Sequence, residues 1–267
     1  MQRSYLTAGV IVLVGAANAA PGTDRAVVLT YHDMVERRDA RALWFDCTPA
    51  ELISQLDWLA VRGASVISIP QLYANMSAGK PLPPRAVAIT FADNYAGFYQ
   101  HAWPILRARR IPVTLFVHTG FVGSKVGRPK MTWDQLRELK ASGLVTIASQ
   151  TVSHPADLGK LTTAQVRKEM VDSKQALDAQ LSQNTLFVAY PNGKYDQRSA
   201  AEAKRAGYQM AFTENQKVAQ TAPNLFEVPR YVHTKFRNAW RDLTKDVRSI
   251  SRTPIPAVQR NRVGSPK

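Results

Sequence analysis

Short apolar runs recur along the chain, each bounded by turn-forming residues: Val27-Val28-Leu29-Thr30, Val66-Ile67-Ser68-Ile69, Val87-Ala88-Ile89-Thr90-Phe91, Val113-Thr114-Leu115-Phe116-Val117, Val145-Thr146-Ile147, Leu186-Phe187-Val188 and Met210-Ala211-Phe212. Their brevity and β-branched content predict strands buried on both faces. Between them the pattern changes to a helical period. Thr48-Pro49-Ala50-Glu51 is a capping box with proline at the first helical position, opening a helix to about Arg62 that Gly63 closes. Thr132-Trp133-Asp134-Gln135 opens a second, closed by Gly143. Thr162 to Leu181 places Val166, Met170, Leu177 and Leu181 along one face, and Asp196 to Ala206 is a helix ended by Gly207. This alternation predicts one α/β domain over residues 25–249. Its architecture is a distorted (β/α)7-type barrel, parallel strands with covering helices.

The two ends read differently from this body. Residues 1–19 carry Arg3, an apolar stretch from Leu6 to Ala17, and Ala17-Asn18-Ala19 as a small-residue cleavage site. That is the pattern of a signal peptide, and it places the mature chain in the periplasm or outside the cell. Residues 250–267 show no periodicity and read as a basic tail. The lone cysteine, Cys47, excludes an internal disulfide framework and a cysteine zinc cluster, and is expected to be buried and inert. Lysine and arginine number 35 against 20 acids, a formal charge of +15. From Phe236 to the end there are eight lysines and arginines against two aspartates. Such a surplus fits a solvated face or attraction to an anionic envelope surface; with no recognition motif in an exported chain, nucleic acid is not a partner. No pattern in the chain fixes an oligomeric state.

In parallel α/β folds chemistry gathers on loops at the carboxyl ends of strands. The polar residues just past the runs are His32 and Asp33, Asp93 and Asn94, His118, Gln150 and His154, Asn192, then Arg230 and His233. Four of the five histidines stand at such positions, which points to metal binding or acid–base work.

The same segments resemble, in order, the polysaccharide deacetylases of carbohydrate esterase family four, particularly the secreted poly-N-acetylglucosamine deacetylases. Leu29-Thr30-Tyr31-His32-Asp33 resembles a Y-H-D signature, and Thr90-Phe91-Ala92-Asp93-Asn94-Tyr95 a T-F-D-D-G-Y motif. Pro112 to Val117 is similar to P-A-T-F-F-V, and Thr132-Trp133-Asp134-Gln135-Leu136 to T-W-x-x-L. Ser149 to Pro155 is similar to S-H-T-x-x-H-P, and Ala189-Tyr190-Pro191-Asn192-Gly193 to A-Y-P-Y-G. The resemblance implies metal-assisted hydrolysis of an N-acetyl group, with an aspartate and two histidines holding a zinc-like divalent ion and a second aspartate acting as base. Carried over, the metal positions are Asp93, Gln150 and His154. The catalytic positions are His32, Asp33 and Asn192, the last on the loop whose backbone N–H helps an oxyanion. Tyr95, Trp133, Tyr190 and Arg230 are the candidate substrate contacts.

The pattern is broken where it matters. The base position is Ala92, the first histidine is Gln150, the motif glycine is Asn94 and the loop tyrosine is Asn192. A glutamine amide is a poor zinc ligand, so any divalent metal is expected to bind weakly or not at all. Loss of the base costs on the order of 10²–10⁴ in rate. Two function classes follow: an impaired family member that binds an N-acetylhexosamine polymer or a partner, or an active metal-dependent N-deacetylase with a rearranged site. The spacing from Gln150 to His154 further predicts a helical turn after the fifth strand, placing both side chains with Asp93 in one pocket.

Overall fold

The computed structural model describes residues 24–245. The expected signal peptide and basic tail lie outside them. Eight strands and seven α-helices follow one another as β1 (Ala26–Tyr31), α1 (Pro49–Val61), β2 (Ser65–Ile67), α2 (Ile69–Ala78), β3 (Ala86–Phe91), α3 (Trp103–Ala108), β4 (Val113–Val117), α4 (Trp133–Ala141), β5 (Val145–Ser149), α5 (Thr163–Leu181), β6 (Phe187–Ala189), α6 (Gln197–Arg205), β7 (Met210–Phe212), β8 (Tyr231–Val232) and α7 (Phe236–Thr244). The capping boxes at Thr48, Thr132, Thr162 and Asp196 open α1, α4, α5 and α6. Ser68 and Gln71 form another, with Pro70 inside the first turn, so Ser68-Ile69 is not the end of a strand as the apolar run suggests; it starts α2.

All named strand pairings are parallel, in the order β7-β6-β5-β4-β3-β1-β8, with β2 alongside the first half of β3. The sheet curls as a half-barrel, the distorted (β/α)7 architecture expected. Its strands alternate cleanly. Val27, Leu29, Tyr31, Val87, Ile89, Phe91, Val113, Leu115 and Val117 belong to a core shared with α1, α3, α4 and α7. The other face carries Ala26, Val28, Ala86, Ala88 and Ala148 around Phe116 and Phe212, whose rings lie 5.4 Å apart. Small side chains on that face give the sheet room to curl. Parallel pairing brings every carboxyl strand end to one rim, where the site forms.

Candidate functional site

Asp93 and Asn94 follow β3 directly, and both have left-handed backbones, with φ of 68° and 38°. Thr151 and His154 after β5 and Asn192 after β6 share that conformation, at 69°, 52° and 54°. Five side-chain-bearing residues in a costly backbone region on one rim mean that the surrounding contacts dictate the loops. Those contacts are visible. Glu169 of α5 accepts from the backbone N–H of Val152 at 2.8 Å and of Ser153 at 2.9 Å, and from the Ser153 hydroxyl at 2.6 Å. The segment holding Gln150 and His154 is therefore a clamped loop; the helical turn expected from their spacing is absent.

The loop nevertheless brings the expected trio together. His154 Nε2 lies 3.3 Å from Asp93 Oδ1 and 3.3 Å from Gln150 Nε2. Gln150 Oε1 accepts a hydrogen bond from the Asp93 backbone N–H at 2.8 Å. The Asp93 carbonyl accepts from His118 Nε2 at 2.8 Å and Lys130 Nζ at 3.0 Å. His118 thus carries its proton on Nε2, and its buried Nδ1 has no partner. Lys130 Nζ also sits 3.3 Å above the Tyr95 ring. A hollow of about 320 Å³ opens over these groups, lined by Tyr95, His118, Phe121, Val126, Arg128, Lys130, Ser153 and His154.

Electrostatics follow from this crowding. Burial raises the Asp93 carboxyl, but the His154 contact and the nearby His32 and His118 outweigh it and hold the group well below the usual carboxylate range. Burial, with Lys130 adding to it, pushes His118 down to about 4. Burial also lowers Lys130 to about 8, against the pull of Asp93 and Asp33. His32 is lowered by burial, while Asp93 and Glu214 oppose the shift.

The remaining positions sort themselves by access. His32 is partly buried, packs 4.9 Å from Phe45 and has a buried Nδ1 without a partner. Asp33 is engaged elsewhere: Arg128 bridges it at 3.0 Å and the fully buried Asp46 at 2.5 Å. Asn192 stands exposed and donates to the Ala156 carbonyl at 3.2 Å, tying its loop to the His154 loop. The next residue must be glycine, since with φ at 64° a Cβ on Gly193 would lie 2.7 Å from the Glu214 backbone nitrogen. Tyr190 and Arg230 are fully buried, which leaves neither a face for a sugar. Tyr190 stacks on Tyr195 and donates to the Phe226 carbonyl; Arg230 donates to the Thr213 carbonyl and the Thr30 hydroxyl beneath the rim. Trp133 packs against the main core and does not line the hollow. Ala92 is buried and offers no polar atom, and neither side-chain polar atom of the buried Asn94 is hydrogen-bonded. Cys47 is buried, as expected. Sequence reasoning missed Arg128 and Lys130, which stand on an aperiodic loop with no motif to mark them.

The trio retains the spacing of a metal centre and lacks its chemistry. Tetrahedral zinc ligands about 2.0–2.1 Å from the ion stand roughly 3.3 Å apart, which matches both contacts of His154 Nε2. Two corners, the Asp93 carboxylate and the His154 imidazole, are sound ligands. The third presents an amide NH₂. Turning that amide would bring Oε1 forward but set the NH₂ against the buried Asp93 N–H, an opposition worth about 1–3 kcal/mol. The residues present therefore do not fit a zinc-like ion, and no group of three histidine, cysteine or carboxylate side chains suited to a metal occurs among the described residues. What remains of the trio is a carboxylate and an imidazole, with the unpartnered Nδ1 of His118 and the Lys130 ammonium beside them.

A polysaccharide deacetylase family model matches residues 79–211, a span holding Asp93, Gln150, His154 and Asn192 but not His32, Asp33 or Arg230. The chain is similar to YxkH of Bacillus subtilis, 28% identical over 204 residues, covering 76% of this chain and 69% of that protein. It is also 28% identical over 246 residues to the poly-β-1,6-N-acetyl-D-glucosamine N-deacetylase of Escherichia coli K12, covering 76% of this chain and 36% of that protein, about a third of its length. Among solved structures it resembles the Streptococcus pyogenes deacetylase PplD in complex with acetate, with a TM-score of 0.74 and 28% identity over 83% of this chain and 99% of that one.

Proposed function

The chain carries a polysaccharide deacetylase domain of carbohydrate esterase family four, and from that premise we propose that it is an exported member of the family that binds an N-acetylhexosamine polymer at the β-strand rim and deacetylates it slowly or not at all. The observation that carries this reading is the orientation of Gln150. Its carbonyl is committed to the Asp93 N–H, so its NH₂ occupies the third corner of the trio. Ala92, one residue before Asp93, supplies no proton acceptor. Hydrolysis of an amide at this rim would lack the family's polarising ion and the aspartate base at position 92, whereas binding needs neither. The likeness to the poly-N-acetylglucosamine deacetylase supports the choice of polymer. Among the described residues no helix is long and apolar enough to cross a membrane; export rests on the pattern of residues 1–19.

A second reading, an active metal-dependent N-deacetylase with a rearranged site, draws on one observation: Asp93 and His154 keep ligand spacing, with His32 and His118 beside them. One experiment separates the two. Metal content of the purified chain is measured together with acetate release from N-acetylglucosamine oligomers. Substoichiometric zinc and near-background acetate support the impaired reading. A tightly held stoichiometric ion with steady acetate release establishes the enzyme.

A further inference from the structure

Resting on that polymer-binding reading, we propose that Trp44 is the stacking platform for a second sugar ring of the polymer, beside the ring held in the hollow lined by Tyr95, His118 and His154. Trp44 is 65% exposed, unusual for so large an apolar group, and Leu43 next to it is 43% exposed. It does not stand on a slack loop. The Asp46 N–H donates to the Leu43 carbonyl at 3.0 Å, closing a tight turn with Trp44 and Phe45 at its tip. The buried Asp46 carboxylate accepts from the Leu43 N–H at 2.6 Å and takes both arms of Arg128, at 2.5 and 2.8 Å. Arg38 donates to the Asp46 carbonyl at 2.6 Å, and Arg128 to the Arg41 carbonyl at 3.2 Å. A turn pinned this firmly holds the indole ready for a ligand at little entropic cost on binding.

Its position matches such a ligand. Trp44 packs edge-on against Phe45 at 5.6 Å, and Phe45 packs on His32 at 4.9 Å, an imidazole near enough to Asp93 to act on it electrostatically. A second run of rings leads from Phe121 through His118 to His154. The first run ends at His32 at the end of β1, the second at His154 of the trio. Ala42, one residue before the turn, lines a second hollow of about 550 Å³ together with Glu36, Arg37, Asp39, Arg41 and Arg128. Arg128 lines both hollows, so the two adjoin. A hexopyranose has an apolar C–H face and a rim of hydroxyls, and an indole beside charged hydrogen-bonding groups complements both. A second copy of the chain would use the apolar patch and leave these polar groups unengaged; an anionic lipid surface would pair with the arginines but be repelled by Glu36 and Asp39, whereas sugar hydroxyls engage both signs.

The test is calorimetric titration of a short N-acetylglucosamine oligosaccharide into the full chain and into Trp44→Ala and Trp44→Phe, with indole fluorescence followed in parallel. Trp44 buries little, so both variants are expected to fold, and matching thermal melts verify it. Trp44→Ala should bind roughly three- to tenfold more weakly, and Trp44→Phe within about twofold of the parent. The sugar-induced change in emission should vanish in both variants. Equal affinity of parent and Trp44→Ala overturns the platform and leaves the polymer-binding reading intact. Absence of binding by the parent overturns both. Two further results also overturn the platform: Trp44→Ala turning a sedimenting dimer into monomer with sugar affinity unchanged, or releasing the chain from phosphatidylglycerol vesicles with sugar affinity unchanged.

Discussion

Replacing Gln150 by histidine together with Ala92 by aspartate tests the site from both sides. In the parent, a zinc-like ion finds two good ligands, and the third amide can help only by surrendering its 2.8 Å bond to the Asp93 N–H. A structural zinc site is worth about 10–16 kcal/mol over four ligands, or roughly 3 kcal/mol for each. Adding an imidazole and removing the amide turn, itself about 1–3 kcal/mol, should strengthen zinc binding by about 4–6 kcal/mol, on the order of 10³- to 10⁴-fold. Without metal the double variant should be weaker, because the Asp93 N–H loses its acceptor and a carboxylate is introduced at a buried position. For a domain of this size, a loss of about 1–3 kcal/mol lowers the melting temperature by roughly 2–10 °C. The assay is a pair of melts, in chelator and in excess zinc, with zinc affinity from competition against a fluorescent chelator and acetate release as the second readout. The parent should show the same melt in both conditions, and the variant a low melt in chelator that zinc restores. Acetate release should rise only when both changes are present, since a base has little to act on without a polarised water. Equal zinc affinity in parent and variant would refute the reasoning, because Gln150 would then not occupy a ligand corner.

Other perturbations probe the scaffold. Glu169→Ala removes three hydrogen bonds from the His154 loop; it should cost about 2 kcal/mol, with hydrogen exchange at Val152 and Ser153 rising, and unchanged protection at those amides would count against the clamp. His233, buried and stacked on Tyr31, is pushed down to about 4, by burial first and then by His32. Its folded pKa lies below its unfolded value near 6.5, so the unfolded chain binds more protons at acid pH. The contribution of His233 is full above about pH 6.5 and falls by about 3 kcal/mol toward pH 4, which urea unfolding at the two ends of that window checks; His233→Phe should remove that share of the acid loss and leave the share of His118 and His32, which are lowered likewise. Burial pushes the Cys47 thiol up to about 12, so a disulfide reagent should react with it in urea and only very slowly in the native protein.

The strands were legible because parallel strands buried on both faces leave continuous apolar runs, and four helices were legible from the capping box at Thr48, the opening Thr132 to Gln135, the apolar face of Thr162 to Leu181 and the closing Gly207. The helix α2 carries a capping box as well, at Ser68 and Gln71, yet the apolar run ending in Ile69 masked it. At the site, order along the chain was enough to gather Asp93, Gln150 and His154, because they follow the carboxyl ends of β3 and β5, parallel strands with only β4 between them. Spacing misled over the loop between the last two: the separation suits a helix, but Glu169, fifteen residues beyond His154, dictates a left-handed path. Which aromatic faces solvent was not legible at all. Tyr190 and Trp133 look like sugar contacts in the linear text and pack inward, whereas Trp44 is turned outward by an ion network whose partner, Arg128, lies 82 positions from Asp46.

The neighbours of β1 have a consequence for how the molecule is made. The first strand of the chain is not an edge: it lies between β3 and β8, so Leu29 and Thr30 pair with Tyr231 and Val232. The Ala26 N–H is taken by Gln220, and Arg25 donates to the carbonyls of Asp242 and Lys245. As synthesis proceeds from the amino end, β1 can meet β3 early, but its other side stays open until the last segment emerges. Contacts spanning some two hundred residues make this closing step late and slow. A chain truncated before Tyr231 would keep most of its core and all of the Asp93 trio, yet expose the flank of β1 at Leu29 and Thr30. Aggregation through that flank, rather than loss of the site, should be the failure of such a truncated chain.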